Sequence, residues 1–224
     1  MVKKTTYGKY FPWIAMLFMT IAISDVLLVY RLVNFMGLII TAGVFVMPIY
    51  YMMQDVVTEI YGFYTSRLMV IVMIICQYIF SFIITGLIHL PFPNNWQHHH
   101  LQYQFVLGHL FRTNILGLLS VLIGAYVNIF LISKWRKLTQ GRYFWMRSLG
   151  SSSIGEMLAT IIGSFVLYYG VYPLTQIIQL IWPVCLLLVI QNVIYSFIGT
   201  IVVYILKQKE GDLLPTPDFN PFTT

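Results

Sequence analysis

Residues 68–88 read LMVIVMIICQYIFSFIITGLI, an apolar run of 21 positions that contains no charged side chain. About 20 such residues are enough for a helix to cross the roughly 30 Å hydrocarbon layer of a bilayer. Over the whole chain, 9% of the 224 residues are charged and 59% are apolar, whereas a soluble domain carries about 25% charged residues. These values exclude a water-soluble domain and a disordered chain. They also exclude a nucleic-acid-binding module, because the basic residues stand at the ends of apolar runs.

Six apolar stretches have about the length of a membrane span, so we expect an all-α polytopic membrane protein with six transmembrane helices. They are Trp13–Tyr30, Leu38–Val57, Leu68–Ile88, Thr113–Ile132, Ile154–Val171 and Ile177–Leu206. We predict a single transmembrane domain over residues 1–209 and a polar, proline-rich cytoplasmic tail over residues 210–224. The first stretch is interpreted as a retained helix, because it contains Asp25 and lacks the small-residue cleavage site of a signal peptide.

The basic residues predict how these helices are oriented. If both termini lie inside, the outer side receives only Arg31 and Arg112 of all the lysines and arginines. The inner side then receives Lys3, Lys4, Lys9, Arg67, Lys134, Arg136, Lys137, Arg142, Arg147, Lys207 and Lys209. Cytoplasmic loops carry such an excess of positive charge, so the sequence predicts an N-in, C-in topology.

Ionisable groups inside the predicted spans are candidates for function, because they are costly in lipid unless they are paired or face a cavity. Asp55 and Glu59 are the most specific candidates, since their i,i+4 spacing places both on one helix face together with Tyr51. Two carboxylates so close suit proton coupling or the binding of a ligand with N–H donors. The alternative is a structural role, in which they pair with Arg67 or with the basic loop after the fourth span.

Glu156 allows two interpretations. Ser153 and Glu156 have the spacing of a capping box, in which Ser153 caps the start of the fifth predicted helix. The run Gly-Ser-Ser-Ser over residues 150–153 is also typical of an unwound, polar helix start that lines a substrate site. The sequence alone does not decide between these two structures.

Other polar residues in the spans also have a structural and a functional interpretation. Asp25 pairs with Arg31 or Arg112 near the outer ends of the helices in our prediction, either as a structural ion pair or as a gate. Gln191 and Asn192 stand side by side in the middle of the sixth span. Amides at this depth need hydrogen-bond partners, so they either join helices or contact a ligand.

The sequence predicts neither a metal site nor catalysis. The triplet of histidines at 98–100, with His89 and His109, lacks the spacing and the supporting ligands of a metal site, and we interpret it as part of a solvated outer loop. There is no catalytic triad, phosphate-binding loop or zinc motif. We therefore expect no enzyme activity, no cofactor, no bound metal and no hydrolysis of ATP by this chain.

A specific pattern of residues surrounds the second predicted span. It consists of Asn34, Gly37, Thr41-Ala42-Gly43, Pro48, Asp55-Val-Val-Thr-Glu59-Ile-Tyr61-Gly62 and Arg67. This pattern resembles the queuosine precursor transporter family, also called vitamin uptake transporters. The resemblance implies a multi-pass permease of the bacterial cytoplasmic membrane. Such a permease imports a purine-like base, a 7-deazaguanine such as preQ0, preQ1 or queuine, for tRNA modification.

The chain departs from the family pattern at two positions. The family carries an aspartate at the position of Ala159 and a lysine at that of Asn192. Losing both charges together is what a buried ion pair requires, because losing one alone would strand the other. The loss of both charges favours queuine or another base over the precursor that relatives with the charged pair bind. Glu156 lies three residues before Ala159, on nearly the same helix face, and is placed to substitute for the missing acid.

Two further hypotheses remain beside a permease. The chain is either a non-transporting membrane scaffold or the substrate-capture subunit of a multi-subunit importer for another small heterocycle. A scaffold does not explain carboxylates at helical spacing inside the spans. Pairs of glycines on several spans permit close helix packing, within the bundle or in a homodimer, which we favour. The lipid bilayer is an expected partner and nucleic acid is not.

Overall fold

The computed structural model describes residues 8–29, 31–35, 37–108, 110–168 and 173–210. Seven helices and one two-stranded ribbon make up this part of the chain, besides two short 3₁₀ turns. The helices are α1 (Phe11–Leu28), α2 (Met47–Tyr61), α3 (Phe63–Ile88), α4 (Gln97–Leu107), α5 (Leu110–Leu138), α6 (Phe144–Tyr168) and α7 (Leu174–Glu210). Glu210, the first residue of the predicted tail, is the last residue of α7. The rest of that tail and His109 lie outside the described residues.

Five helical segments of the described chain are long and apolar enough to cross a membrane. They are α1, α3, the segment Gln97–Leu138 that comprises α4 and α5, α6 up to Val166, and α7. An all-α polytopic membrane fold therefore agrees with the structure in its main elements. The count of membrane-long helices differs from the six predicted, because one predicted span has another structure.

The predicted helix over Leu38–Val57 is wrong. The strands β1 (Leu32–Phe35) and β2 (Leu38–Thr41) form an antiparallel ribbon, and a 3₁₀ turn over Ala42–Phe45 leads into α2. Gly37 has a φ of 84° in the turn between the strands, which a residue with a Cβ rarely adopts. Pro48 then lies in the first turn of α2, where a residue without an N–H is tolerated. The helix thus begins near the proline and not at Leu38.

The short helix α2 is the centre of the bundle. Eleven of its 15 residues are buried, and it packs against α1, α3, α5, α6 and α7. Apolar side chains around it, among them Phe18 of α1 and Met73 of α3, form the main core. Polar side chains on α2 must therefore find their partners inside the protein.

Hydrogen bonds of Glu210 bring three helix ends together. Its carboxylate accepts a bond of 2.6 Å from the backbone N–H of Tyr10 and another of 2.6 Å from the hydroxyl of Tyr61. The start of α1, the end of α2 and the end of α7 therefore lie at one end of the bundle. The assignment of this end to the cytoplasm stays a prediction from the basic residues.

Small residues let α5 and α6 approach each other closely. A Cβ added to Gly124 would lie 2.6 Å from the carbonyl oxygen of Gly155, and one added to Gly155 would lie 2.7 Å from that of Gly124. Neither position has room for a side chain. These two glycines serve packing within the bundle, and they bring α6 close to the polar face of α2.

Candidate functional site

A buried polar core lies where α2 meets α5, α6 and α7. We define it by polar side chains with at most 9% of their surface exposed. They are Gln54, Asp55, Thr58 and Glu59 on α2, Asn128 and Ser133 on α5, Arg147, Ser148, Ser151, Ser152, Ser153 and Glu156 on α6, and Asn192 and Ser196 on α7. Three of the sequence-predicted acids are among them, and each has different partners.

Asp55 is completely buried and accepts three hydrogen bonds. Asn128 of α5 donates one bond of 2.8 Å to Oδ1. Ser148 and Ser152, one turn apart on α6, donate bonds of 2.6 and 2.7 Å to Oδ2. The carboxylate thus joins three helices, and three of its lone pairs are already used by protein donors.

Glu59 is surrounded by basic groups at the end of α2. Arg147 donates to both of its carboxylate oxygens, at 2.8 and 3.3 Å, and its own side chain is only 2% exposed. Lys207 and Arg136 approach the same carboxylate to 3.4 and 3.7 Å. Glu59 therefore has the ion pairs with basic residues of the α5–α6 region that a structural role requires. Arg67, the other predicted partner, is exposed on α3.

Glu156 is completely buried but has only part of its hydrogen-bonding capacity used. Asn192 of α7 donates a bond of 2.7 Å to Oε2. Within the described residues, the other oxygen, Oε1, has no hydrogen-bond partner. A buried carboxylate oxygen without a donor is costly, so this atom is a candidate acceptor for a ligand.

Both sequence interpretations of the helix start near Glu156 are wrong. Helix α6 begins at Phe144, nine residues before Ser153, so Ser153 and Glu156 are in its interior. The chain reverses earlier, at Gln140 and Gly141, which have positive φ values of 51° and 77°. The serine run keeps its helical structure, and its hydroxyl groups face the polar core and not a loop.

Tyr51 lies one helical turn from Asp55 on the same face of α2. Its side chain is 1% exposed, and its hydroxyl has no hydrogen-bond partner among the described residues. The hydroxyl lies against Gly124, where an added Cβ would be 2.7 Å away. The carboxyl groups of Glu156, Asp25 and Asp55 lie in its surroundings. Tyr51 therefore marks the place where the acidic side chains of the core converge.

Asp25 belongs to this acidic region and not to an outer ion pair. Its carboxylate packs against the 3₁₀ turn, where a Cβ added to Gly43 would lie 2.6 Å from Oδ1. The predicted partners Arg31 and Arg112 are exposed, and the described part of the chain shows no ion pair between either of them and Asp25. A gating role for these residues stays a prediction.

The amide pair of the sixth predicted span is divided between two environments. Asn192 is buried and donates to Glu156, with a longer bond of 3.4 Å to the hydroxyl of Ser153. Gln191 is partly buried, and its amide nitrogen Nε2 has no partner among the described residues. Asn192 therefore joins α7 to α6, and the donor group of Gln191 is a candidate contact for a ligand.

Two cavities of the structure lie away from this polar core. One, of about 180 Å³, has an apolar lining from α1 and α3 that includes Phe18, Met69 and Met73. The other, of about 280 Å³, lies beside α4 and is lined by His89, Leu101 and Phe105 among others. Neither lining includes a carboxylate. These two cavities therefore do not include the acids of the polar core.

The histidine triplet at residues 98–100 lies on α4, where two of its rings contact aromatic rings. The His100 ring stacks on that of Phe92 at 4.0 Å, and the His99 ring lies tilted against that of Trp96 at 4.6 Å. Within the described ranges, no group of three His, Cys, Asp or Glu side chains is placed to hold a metal ion.

Comparison with known families identifies the class of protein. A family model described as "Putative vitamin uptake transporter" matches residues 41–206. The chain belongs to this family. The match includes α2 and α7 up to Leu206 and therefore all residues of the polar core. No curated protein and no solved structure matches the chain.

Family membership and the apolar helices together establish the general role. The protein is a multi-pass membrane protein of a transporter family, which implies a small-molecule substrate and contact with lipid. A transporter family also argues against an enzyme. The exact substrate goes beyond what the family description states.

Sequence reasoning did not predict which residues hold the two acids of α2. Ser148, Ser152 and Asn128 hold Asp55, and Arg147, one of several basic residues of the predicted basic loop, holds Glu59. The i,i+4 spacing of Ser148 and Ser152 was a usable signal for a polar helix face. Arg147 gave no such signal, because a basic residue near a predicted loop is also what the topology rule requires.

Proposed function

We propose that this transporter imports queuosine precursors, that is, 7-deazaguanine bases such as preQ0, preQ1 or queuine, for the modification of tRNA. The observation that carries the proposal is the enclosed carboxylate of Glu156, whose Oε1 has no described partner and whose neighbour Gly155 packs against the ring of Tyr51. The Watson–Crick edge of a guanine-like base presents adjacent N–H donors. A carboxylate accepts such donors with strong, charge-assisted hydrogen bonds.

Aromatic rings beside the acids suit the flat face of a base. The rings of Tyr50 and Tyr51 have their centroids 5.0 Å apart, and both side chains are buried. Offset stacking on such a ring stabilises a planar heterocycle beyond the burial of its area. The hydroxyl of Tyr51 and the amide of Gln191 supply further polar contacts for the edge of the base.

The contact between Glu156 and Asn192 supports the prediction that Glu156 takes the place of the acid missing at position 159. Family members are expected to carry an acid at position 159 and a base at position 192. Here the bond of 2.7 Å from Asn192 to Glu156 occupies that region, and Ala159 packs near Gly124. Glu156 thus offers the acid that this chain lacks at position 159.

We place the protein in the bacterial cytoplasmic membrane, with both termini inside and six crossings of the bilayer. The ribbon, the 3₁₀ turn and α2 together make the second crossing in this proposal. The polar core then lies between the ends of the bundle, and the contacts of Glu59 and Glu210 close its cytoplasmic end. Transport proceeds by separation of helices around the core, without hydrolysis of ATP by this chain. Assembly as a homodimer is part of the proposal.

Complementation of a bacterial host tests the proposed substrate. The host makes and imports no queuosine precursor but keeps the enzymes that use one. It expresses the wild-type chain, Glu156→Gln or the control Ile154→Leu, whose side chain is 40% exposed on the opposite face of α6. Each base is supplied separately, and queuosine in tRNA is quantified by mass spectrometry.

We expect the wild type and Ile154→Leu to restore queuosine, and Glu156→Gln to lower it by about tenfold or more, because the amide replaces one acceptor by a donor. Membrane levels of the three proteins are compared by immunoblot. No restoration with any base, at normal membrane levels, would overturn the proposed substrate. A scaffold would tolerate Glu156→Gln, and a substrate-capture subunit would require a separate ATPase that co-purifies with it.

A further inference from the structure

The charged groups of the polar core are sorted by sign along α2. At the end of the helix, three basic side chains surround the single acid Glu59. One and two turns earlier, around Tyr51, the charged neighbours are Asp25, Asp55 and Glu156. The same helix thus has a basic environment at one end and an acidic one at its middle.

The acids around Tyr51 are compensated to different degrees. Asp55 accepts three hydrogen bonds and also interacts with the charge of Arg147. Glu156 has the neutral amide of Asn192 as its donor, and the charged groups that act on it are Asp55 and Asp25. Among the described residues, no basic side chain forms a salt bridge with Glu156.

Two unpartnered atoms point to a ligand in the acidic region. The hydroxyl of Tyr51 and Oε1 of Glu156 belong to side chains that are 1% and 0% exposed, and neither has a hydrogen-bond partner in the described structure. Buried polar atoms are otherwise almost always satisfied. A ligand that donates hydrogen bonds to Glu156 and to Tyr51 removes the free-energy cost of leaving these two buried atoms unsatisfied.

We propose that this site selects positively charged ligands, and that its preferred 7-deazaguanine is one with a protonated amine. The inference rests on the proposed function and adds the charge of the substrate to it. A cationic substituent of the base, held in the acidic region around Tyr51, supplies the counter-charge that the protein itself does not provide, while Glu156 accepts the N–H donors of the base. An uncharged analogue satisfies hydrogen bonds but leaves the acidic region uncompensated.

Two bases that differ in one substituent test this selection. The 7-aminomethyl base carries a primary alkylamine, which is protonated at neutral pH like a lysine side chain. The 7-cyano base has a neutral nitrile at the same carbon. Initial uptake of each base is measured by mass spectrometry in the host described above. The cells express the wild type, Glu156→Gln, Asn192→Lys or the control Ile154→Leu.

We expect the wild type and Ile154→Leu to take up the aminomethyl base about tenfold faster than the cyano base at limiting concentration. Glu156→Gln removes the buried acid, and Asn192→Lys supplies a cation from the protein, so both variants should lose this preference. If Glu156→Gln fails to reach the membrane, the ratio of aminomethyl to cyano uptake in the wild type and in Asn192→Lys still tests the inference.

The outcomes separate this inference from the proposed function. Equal or faster uptake of the cyano base by the wild type overturns the inference alone, because import of precursors is then established. A ratio of aminomethyl to cyano uptake that stays at the wild-type value in both Glu156→Gln and Asn192→Lys overturns it too, since these residues would then not distinguish charge. Uptake of neither base, with wild-type protein in the membrane, overturns the proposed function and the inference with it.

Discussion

A carboxylate enclosed in a helical bundle is tolerated when cations or several donors surround it, and the buried acids of this protein differ in that respect. Glu59 has a bidentate arginine, and Asp55 has three donors. Glu156 has one donor, and its other oxygen has no partner among the described residues. The three acids therefore divide into two that hold helices together and one that is a candidate for binding.

Removing the charge of Glu59 should destabilise the protein and not alter its selectivity. Glu59→Gln leaves the buried guanidinium of Arg147 without its counter-ion, at a cost of about 3–5 kcal/mol. We expect a lower thermal unfolding temperature in detergent and less protein in the membrane. The double variant Glu59→Gln/Arg147→Met should recover much of this loss, because the stranded charge is gone. If the single variant is as stable as the wild type, the ion pair between Glu59 and Arg147 does not stabilise the fold.

The contacts of the buried acids were predicted only in part from the sequence. The i,i+4 spacing correctly placed Asp55 and Glu59 on one face of a helix, since that follows from the helical repeat alone. It did not distinguish their partners, because Ser148 and Arg147 come from a helix about 90 residues later. A capping box at Ser153 and Glu156 satisfies the local pattern equally well, but α6 had already begun at Phe144.

At the scale of elements, apolar composition identified the long helices but not the ribbon. A run such as Leu-Ile-Ile-Thr over residues 38–41 has the same hydropathy in a strand as in a helix, and a short apolar run does not show the difference. The deciding features were local, namely the positive φ of Gly37 and the position of Pro48. The second predicted span therefore became a ribbon, a turn and a short central helix.

The close contact of α5 and α6 predicts a sharp difference between glycines of one helix. Gly124→Ala places a methyl group 2.6 Å from the carbonyl oxygen of Gly155 and 2.7 Å from the hydroxyl of Tyr51. The helices must separate, so we expect an unfolding temperature lower by several degrees. Gly117→Ala on the same helix meets no atom within 4 Å and should leave stability unchanged. Fluorescence-based thermal unfolding in detergent compares the two variants, and equal behaviour would contradict the close approach.

At the scale of the whole molecule, the contacts of Glu210 and Glu59 gather both ends of the described chain on one side. The ribbon β1–β2 and α4 belong to the connections at the other side. The excess of lysine and arginine near the Glu59 end predicts that this side faces the cytoplasm.

Labelling of introduced cysteines tests this orientation. With Cys76 and Cys185 replaced by alanine, Gln97→Cys on α4 and Gln140→Cys in the α5–α6 turn each carry one exposed thiol. We expect a membrane-impermeant maleimide to label the first variant in intact cells and the second only after the membrane is opened. The reverse pattern would mean that the protein has the opposite topology.

The long sequence separation of the Glu59 ion pair has a consequence for biosynthesis. Glu59 and Arg147 are 88 residues apart, and Lys207 follows 148 residues after Glu59. When α2 leaves the ribosome, the side chains that neutralise its carboxylate have not yet been made. The nascent α2 thus cannot settle in its final environment at that stage, and insertion of this protein is completed only when the last helices have been translated.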